Sequence, residues 1–162
     1  MQTLGTATGQ LSNNEQANQY LTFTLGAEEY GIEILKVQEI KGYSAITHIP
    51  NAPPHVKGVM NLRGTVIPVV DLRRKFSMEL VEFNKFSVII VVMVGEKVAG
   101  LVVDAVSDVL DIDSASVRPA PDFGSGADTR FIRGVASMGE KLVVLLDIDR
   151  LVTEEDVAAP AA

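Results

Sequence analysis

Short apolar segments recur along the chain and alternate with turn-forming residues. Residues 20–25 alternate partly between aromatic or aliphatic side chains and threonine, which is the pattern of a half-buried strand. Residues 88–94 are apolar on both faces and must therefore be covered on both sides. Turn-forming sequences follow both segments, at residues 26–29 and 95–97. The pattern predicts short β-strands arranged as hairpins.

The same pattern occurs twice in the sequence. Residues 26–50 match residues 95–119 at an offset of 69, and residues 56–72 match residues 132–148 at an offset of 76. The offset changes because seven additional residues lie in the Gly-rich stretch 123–129. A repeat has to be identified first, since it changes what counts as a domain. We expect the shared residues to specify the fold and the unshared ones to indicate function.

Each repeat contains about five predicted strands, which is typical of a small barrel or sandwich. We prefer a barrel because closure leaves no exposed strand edge. One repeat of about 65 residues would be marginally stable alone, so the two are expected to form one cooperative unit. Pro68 predicts an edge or a bulge in its strand. Asp71 and Asp147 are placed to cap short helices, the second of which is expected to extend into residues 151–158.

Composition narrows the class of protein. The chain has 162 residues, 47% of them hydrophobic, no cysteine and a net charge of −7. The charge argues against nucleic acid as a partner, because phosphate contacts need clustered lysine and arginine. The longest apolar run, residues 88–94, is too short to span a bilayer, and the first residues lack the basic and apolar regions that are expected of a signal peptide. We expect a soluble cytoplasmic protein with a flexible tail at residues 1–19.

The candidate catalytic and metal-binding residues have simpler structural explanations. Two Asp-Ile-Asp sequences, at residues 111–113 and 147–149, suit helix caps and turns better than a metal site. His48 and His55 lie in a Pro-containing loop without a local acid–base partner. The Gly-Ser-Gly sequence at 124–126 lacks the lysine of a phosphate-binding loop. We expect no catalytic residue, no metal and no cofactor.

The hairpin sequence 61–64, Asn-Leu-Arg-Gly, differs from its repeat counterpart 137–140, Ser-Met-Gly-Glu. Asn and Gly suit a tight turn, since both tolerate positive φ. They do not explain Arg63, which is either solvated or aimed at a carboxylate. That carboxylate would be Glu39 or one on a partner. We favour an ion pair, because Glu39 and its counterpart Asp108 keep an acid in both repeats while the cation occurs in one.

The insertion of the second repeat is the other asymmetry. It places Phe123 in a polar, Gly-rich loop shortly after Arg118 and Pro119. An aromatic residue in such a loop either fills a small satellite core or is an exposed anchor for another protein.

Three segments together resemble the CheW family of chemotaxis coupling proteins: residues 28–40, 58–64 and 102–109. The resemblance runs from about residue 20 to the C-terminal helix, and it extends to the regulatory domain of the kinase CheA and to CheV. The 162 residues include no receiver or kinase domain, so we expect the free-standing form.

The resemblance implies an all-β fold. Two SH3-like, five-stranded barrels would pack around a shared hydrophobic core, with short helices and a C-terminal helix. The domain would cover residues 20–158, with the first barrel at about 20–86, joined by 145–158 as a flexible boundary, and the second at 87–144. Residues 1–19 and 159–162 would be tails.

The resemblance also implies a function without catalysis. The protein would couple the cytoplasmic tips of transmembrane chemoreceptors to the regulatory domain of the histidine kinase CheA, at arrays on the inner membrane. Other CheW copies would be further partners in array rings. The matching positions are, for the receptor, Val37, Glu39, Gly58, Arg63 and Val109; for the kinase, Ile46, Thr47 and Ile49; and for the ring contact, Arg118 and Phe123.

Two other functions remain open at this point. One is an adaptor of a non-flagellar chemosensory pathway, such as that of type IV pilus motility. The other is a small-ligand-binding β-barrel, which would need a polar cavity where the predicted interior is aliphatic. For an adaptor, Arg63 and residues 73–75 would form a local basic cluster that orients an encounter.

Overall fold

The computed structural model describes residues 18–43, 46–51, 56–76, 78–79, 84–119 and 130–152. Within these ranges the chain forms eleven strands and two short helices. The strands are β1 (Gln19–Leu25), β2 (Glu28–Glu33), β3 (Val37–Gly42), β4 (Val56–Leu62), β5 (Thr65–Asp71), β6 (Val88–Val94), β7 (Lys97–Val103), β8 (Ala105–Asp111), β9 (Val117–Arg118), β10 (Ile132–Met138) and β11 (Lys141–Leu146). The helices are α1 (Leu72–Lys75) and α2 (Ile148–Leu151), and single 3-10 turns lie at Ile34–Lys36 and Ser114–Ser116.

The strands form two sheets, and each sheet contains strands of both repeats. Sheet A has six strands in the order β8-β1-β2-β11-β10-β9, and sheet B has five in the order β3-β6-β7-β5-β4. The first hairpin of each repeat, β1–β2 or β6–β7, therefore joins the later strands of the other repeat. Equivalent pairings recur: β2 is parallel to β11, and β7 is parallel to β5. This mainly β architecture of two sheets confirms the predicted fold class.

The exchange of hairpins divides the chain differently from the expected barrels at 20–86 and 87–144. Sheet A combines residues 19–33 with residues 105–146, and sheet B combines residues 37–71 with residues 88–103. The physical reason is the burial that each hairpin requires. β6 is apolar on both faces, and exchange places one face inside sheet B and the other against sheet A.

The core consists of a shared layer and two satellites. The shared core takes side chains from both sheets, including Phe23, Leu101 and Leu146. A second cluster, with Met60 and Ile67, lies within sheet B, and a third, with Tyr20, lies within sheet A. Each sheet encloses one hydrophobic cluster, and both sheets contribute side chains to the shared core. This arrangement agrees with two barrels packed around a common core.

Local features follow the repeat closely. Asp71 and Asp147 each accept a backbone hydrogen bond from the residue two positions on, at 3.0 and 3.1 Å, and so cap α1 and α2 as predicted. Pro68 lies where β5 pairs with β4 alone, because pairing with β7 starts at Val69. The second helix is shorter than expected: α2 ends at Leu151, since Val152 has an extended backbone. None of the described helices is long and apolar enough to cross a membrane.

Candidate functional site

Arg63 occupies the turn between β4 and β5 in a left-handed conformation. Its φ is 49°, and that of the following Gly64 is 88°. The Asn61 side-chain oxygen accepts a hydrogen bond from the Gly64 amide at 2.8 Å and holds the turn. In the second repeat, Gly139 adopts the same conformation with a φ of 67°. A non-glycine residue there costs roughly 1–2 kcal/mol, so the arginine is disfavoured locally and needs a functional explanation.

The guanidinium of Arg63 forms an ion pair with Glu39 on β3. Its Nη2 atom donates to Glu39 Oε2, which answers the open question of which carboxylate Arg63 meets. The hydrogen bond from Arg63 lowers the pKa of Glu39, and the same contact raises the pKa of Arg63. The pair closes the hairpin end of β4 onto β3, at the opposite end of the strand order of sheet B. The Arg63 side chain stays 69% exposed and can still meet a partner.

Val37 and Val109 lie along the two margins of the shared core. Val37 on β3 is half-buried and packs against that core. Val109 on β8 pairs with the core residue Leu21 and is 44% exposed. β3 and β8 are the terminal strands of sheets B and A. The structure therefore places both predicted residues on terminal strands beside the shared core.

Ile40 also lies on the terminal strand β3 beside the shared core, although it is not among the residues predicted from the sequence. It pairs with the core residue Ile90 and is 44% exposed. Ile40 and Val109 are related by the offset of 69. The repeat offset, applied to Val109, would have identified Ile40. We call Val37, Ile40 and Val109 the margin residues.

Gly58 is buried beneath the segment that carries Ile46 and Thr47. A Cβ atom at Gly58 would lie 2.1 Å from the Thr47 carbonyl oxygen and 2.9 Å from Ile46 Cγ2. The Thr47 and Val59 backbones exchange hydrogen bonds of 2.8 and 2.9 Å across this contact. Thr47 itself is exposed, and Ile49 is half-buried. The structure thus brings Gly58 together with the predicted kinase-binding residues and away from the protein surface.

Arg118 lies on sheet A, in the equivalent segment of the second repeat. It is exposed, and β9 pairs it with Val135 of β10. A Cβ atom at Gly134, the counterpart of Gly58, would lie 2.5 Å from Val117 Cγ1 and 2.7 Å from the Arg118 carbonyl oxygen. Phe123 lies outside the described residues.

Arg73 does not belong to an exposed basic cluster, contrary to expectation. Its Nε and Nη2 atoms donate to both carboxylate oxygens of Asp104, at 2.8 and 2.5 Å, and its Nη1 donates to the Glu79 carbonyl at 2.6 Å. The Gly26 amide also donates to Asp104, at 2.8 Å. The Arg73 side chain is 12% exposed, and its hydrogen bonds lower the pKa of Asp104. Arg73 is therefore a structural cation that ties α1 to the end of β7.

One aspartate of each Asp-Ile-Asp sequence caps a 3-10 turn or a helix. Asp113 accepts a hydrogen bond from the Ala115 amide at 3.3 Å and caps a 3-10 turn, as Asp147 caps α2. His48 is exposed, and His55 lies outside the described residues. Within the described ranges, no group of three or more His, Cys, Asp or Glu side chains is placed to bind a metal ion.

Comparison with known proteins gives consistent matches over most of the chain. The CheW-like domain family matches residues 19–156. The chain is 45% identical to the chemotaxis protein CheW of Klebsiella aerogenes over 148 residues, which are 91% of this chain and 89% of that protein. It is 30% identical over 135 residues to protein FrzA of Myxococcus xanthus, covering 82% and 84% of the two chains. The crystal structure of the scaffolding protein TtCheW from Thermoanaerobacter tengcongensis superposes with a TM-score of 0.77, at 36% identity, over 84% of this chain and 92% of that one.

Proposed function

Because the chain belongs to the CheW family, we propose that it is a non-enzymatic adaptor that couples chemoreceptors to the histidine kinase CheA in bacterial chemotaxis. The proposal places the protein in the cytoplasm, at the inner-membrane receptor arrays, through its partners.

The receptor surface is proposed to lie along the margin residues and the Glu39–Arg63 pair. The observation that carries the proposal is that two repeat-related aliphatic residues, Ile40 and Val109, stay 44% exposed at the edges of the shared core. A docked helix needs apolar anchors of this kind, with a few charges that fix its register. Arg63 and Glu39 supply those charges beside β3. We therefore infer that the helical hairpin at the receptor tip binds here.

Gly58 has a different part in this proposal from the one that the resemblance implied. It is buried, so its contribution to binding is indirect. It leaves room for the Thr47 carbonyl and thereby fixes the position of Ile46 and Thr47. We assign the kinase surface to Ile46, Thr47 and Ile49, and we treat Gly58 as the residue that positions it.

The ring contact is proposed for Arg118, which lies on the other sheet, and for Phe123. Arg118 is exposed on β9, at the terminal position of sheet A. The kinase segment contacts β4, at the terminal position of sheet B. Two contacts on different sheets allow one adaptor to touch two neighbours, either kinase domains or further copies of the adaptor.

A pull-down with CheA and a receptor cytoplasmic fragment tests the proposal. We expect the protein to retain each partner separately and both together. Binding to neither would refute the proposed function.

The similarity to protein FrzA supports a second candidate, an adaptor of a non-flagellar chemosensory pathway. The two candidates differ in the kinase and the receptors that are bound. Restoration of swimming chemotaxis in a strain without its own adaptor would support the first candidate. Restoration of surface motility alone would support the second.

A further inference from the structure

The Glu39–Arg63 pair has an incomplete counterpart in the second repeat. Asp108 on β8 is the counterpart of Glu39, and Gly139 is the counterpart of Arg63. Lys41, whose charge also lowers the pKa of Glu39, is replaced by Leu110. The second repeat therefore keeps the acid and lacks both cations that accompany it in the first.

An open cavity of about 380 Å³ lies at this position. Asp108, Leu110, Met138 and Val143 are among its lining residues. Met138 and Val143 are the counterparts of Leu62 and Ile67, which flank the Arg63 turn in the first repeat. The cavity thus occupies the place where the first repeat holds its own arginine.

Asp108 forms no ion pair with the other groups that line the cavity. Glu29 and Lys141 also line it, but they pair with each other at 3.3 Å. One oxygen of Asp108 accepts a hydrogen bond from the Val109 amide at 2.8 Å. Among the described residues, no lysine or arginine forms an ion pair with Asp108. An exposed carboxylate next to apolar lining residues can bind a long cationic side chain, whose charged end pairs with the carboxylate while its methylene groups pack on the apolar residues.

We propose that this cavity binds an arginine side chain of the receptor's helical hairpin, which pairs with Asp108 as Arg63 pairs with Glu39. Arginine fits better than lysine, because its planar guanidinium can donate twice to one carboxylate and is more weakly hydrated. Its methylene groups would pack on Leu110 and Met138. The receptor is the expected source, because Asp108 occupies on β8 the position that Glu39 occupies on β3, and the proposed receptor surface includes Glu39. This inference rests on the proposed function.

The first test compares Asp108→Asn with Asp111→Asn. Both remove one negative charge from β8, but Asp111 does not line the cavity. We expect Asp108→Asn to weaken binding of the receptor cytoplasmic fragment about tenfold, measured by isothermal titration calorimetry, and Asp111→Asn to bind like wild type. Equal affinity of wild type and Asp108→Asn would overturn the inference and leave the proposed function intact. Failure of the wild type itself to bind the fragment would instead refute the proposed function.

The second test supplies the arginine within the chain. Gly139→Arg should fill the cavity from the turn, since Arg63 adopts the same left-handed conformation. Gly139→Gln is the matched control, with the same turn strain and no charge. We expect Gly139→Arg to bind the receptor fragment about tenfold more weakly than Gly139→Gln. In the Asp108→Asn background the two substitutions should give equal affinities. Equal affinities in the wild-type background would contradict the inference.

Discussion

Replacement of Gly58 by alanine is expected to disrupt the kinase-binding segment without removing any exposed side chain. The new Cβ atom would lie 2.1 Å from the Thr47 carbonyl oxygen and 2.8 Å from its carbonyl carbon. Ordinary contact requires that the Thr47 backbone move by roughly 1 Å. Because the new Cβ atom clashes with backbone atoms, a change of side-chain rotamer cannot relieve the contact.

The energetic cost follows from the hydrogen bonds that this movement breaks. Thr47 and Val59 exchange two backbone hydrogen bonds, of 2.8 and 2.9 Å. Each contributes about 1 kcal/mol net, so Gly58→Ala should lower the free energy of unfolding by about 2 kcal/mol. For a chain of this size, such a loss lowers Tm by about 4–8 °C. The protein should remain folded at room temperature, which keeps its binding measurable.

Hydrogen exchange and kinase binding together test this reasoning. We expect the Thr47 and Val59 amides of Gly58→Ala to lose protection, and the affinity for CheA to fall in parallel. Gly42→Ala is the matched control, because a Cβ atom at Gly42 would meet nothing within 4 Å. If Gly58→Ala kept the protection of both amides and bound CheA like wild type, the positioning role of Gly58 would be wrong.

Three further predictions follow from the same geometry. Gly134→Ala should displace the Arg118 backbone and weaken array assembly while receptor binding persists, as measured by sedimentation of reconstituted arrays. Arg63→Ala should leave the urea midpoint nearly unchanged, because its ion pair is largely exposed, but should reduce receptor-stimulated CheA phosphorylation. Asp104→Asn should lower the free energy of unfolding by about 2 kcal/mol at pH 7. Folding lowers the pKa of Asp104 through Arg73, so this contribution is fully present above about pH 4 and is lost progressively as the pH falls through the folded-state pKa. Urea denaturation at pH 7 and at pH 3 should show that the stability difference between the two proteins becomes smaller at pH 3.

Much of the fold could be predicted from local patterns. The helix caps at Asp71 and Asp147 and the hairpin turn at Arg63 each depend on a few neighbouring residues. The cap occurs in both repeats, whereas the arginine in the turn occurs in the first repeat only. The ion pair between Arg63 and Glu39 could also be predicted, because an acid persists in both repeats while the cation does not. These features either depend on neighbouring residues or can be recognised from a sequence difference between the two repeats.

The exchange of hairpins could not be predicted in the same way. β1 and β6 begin equivalent hairpins, and no residue within either strand specifies which repeat will pair with it. Pairing depends on the parallel contacts of β2 with β11 and of β7 with β5, which join residues more than 30 positions apart. The role of Gly58 could not be predicted from its neighbours in the sequence either, because the atoms closest to it belong to Thr47, in another segment.

The exchange of hairpins also explains how the adaptor holds its proposed docking surfaces at fixed positions relative to each other. Sheet B carries the Glu39–Arg63 pair and the Thr47 segment, and sheet A carries Val109 and Arg118. Each sheet contains a hairpin from the other repeat, and the shared core takes side chains from both sheets. One sheet therefore cannot unfold or rotate away without exposing the core that both sheets share. A scaffold that bridges a receptor and a kinase needs such fixed geometry. Movement at one docking site is transmitted to the other only if the two sites keep a fixed position relative to each other.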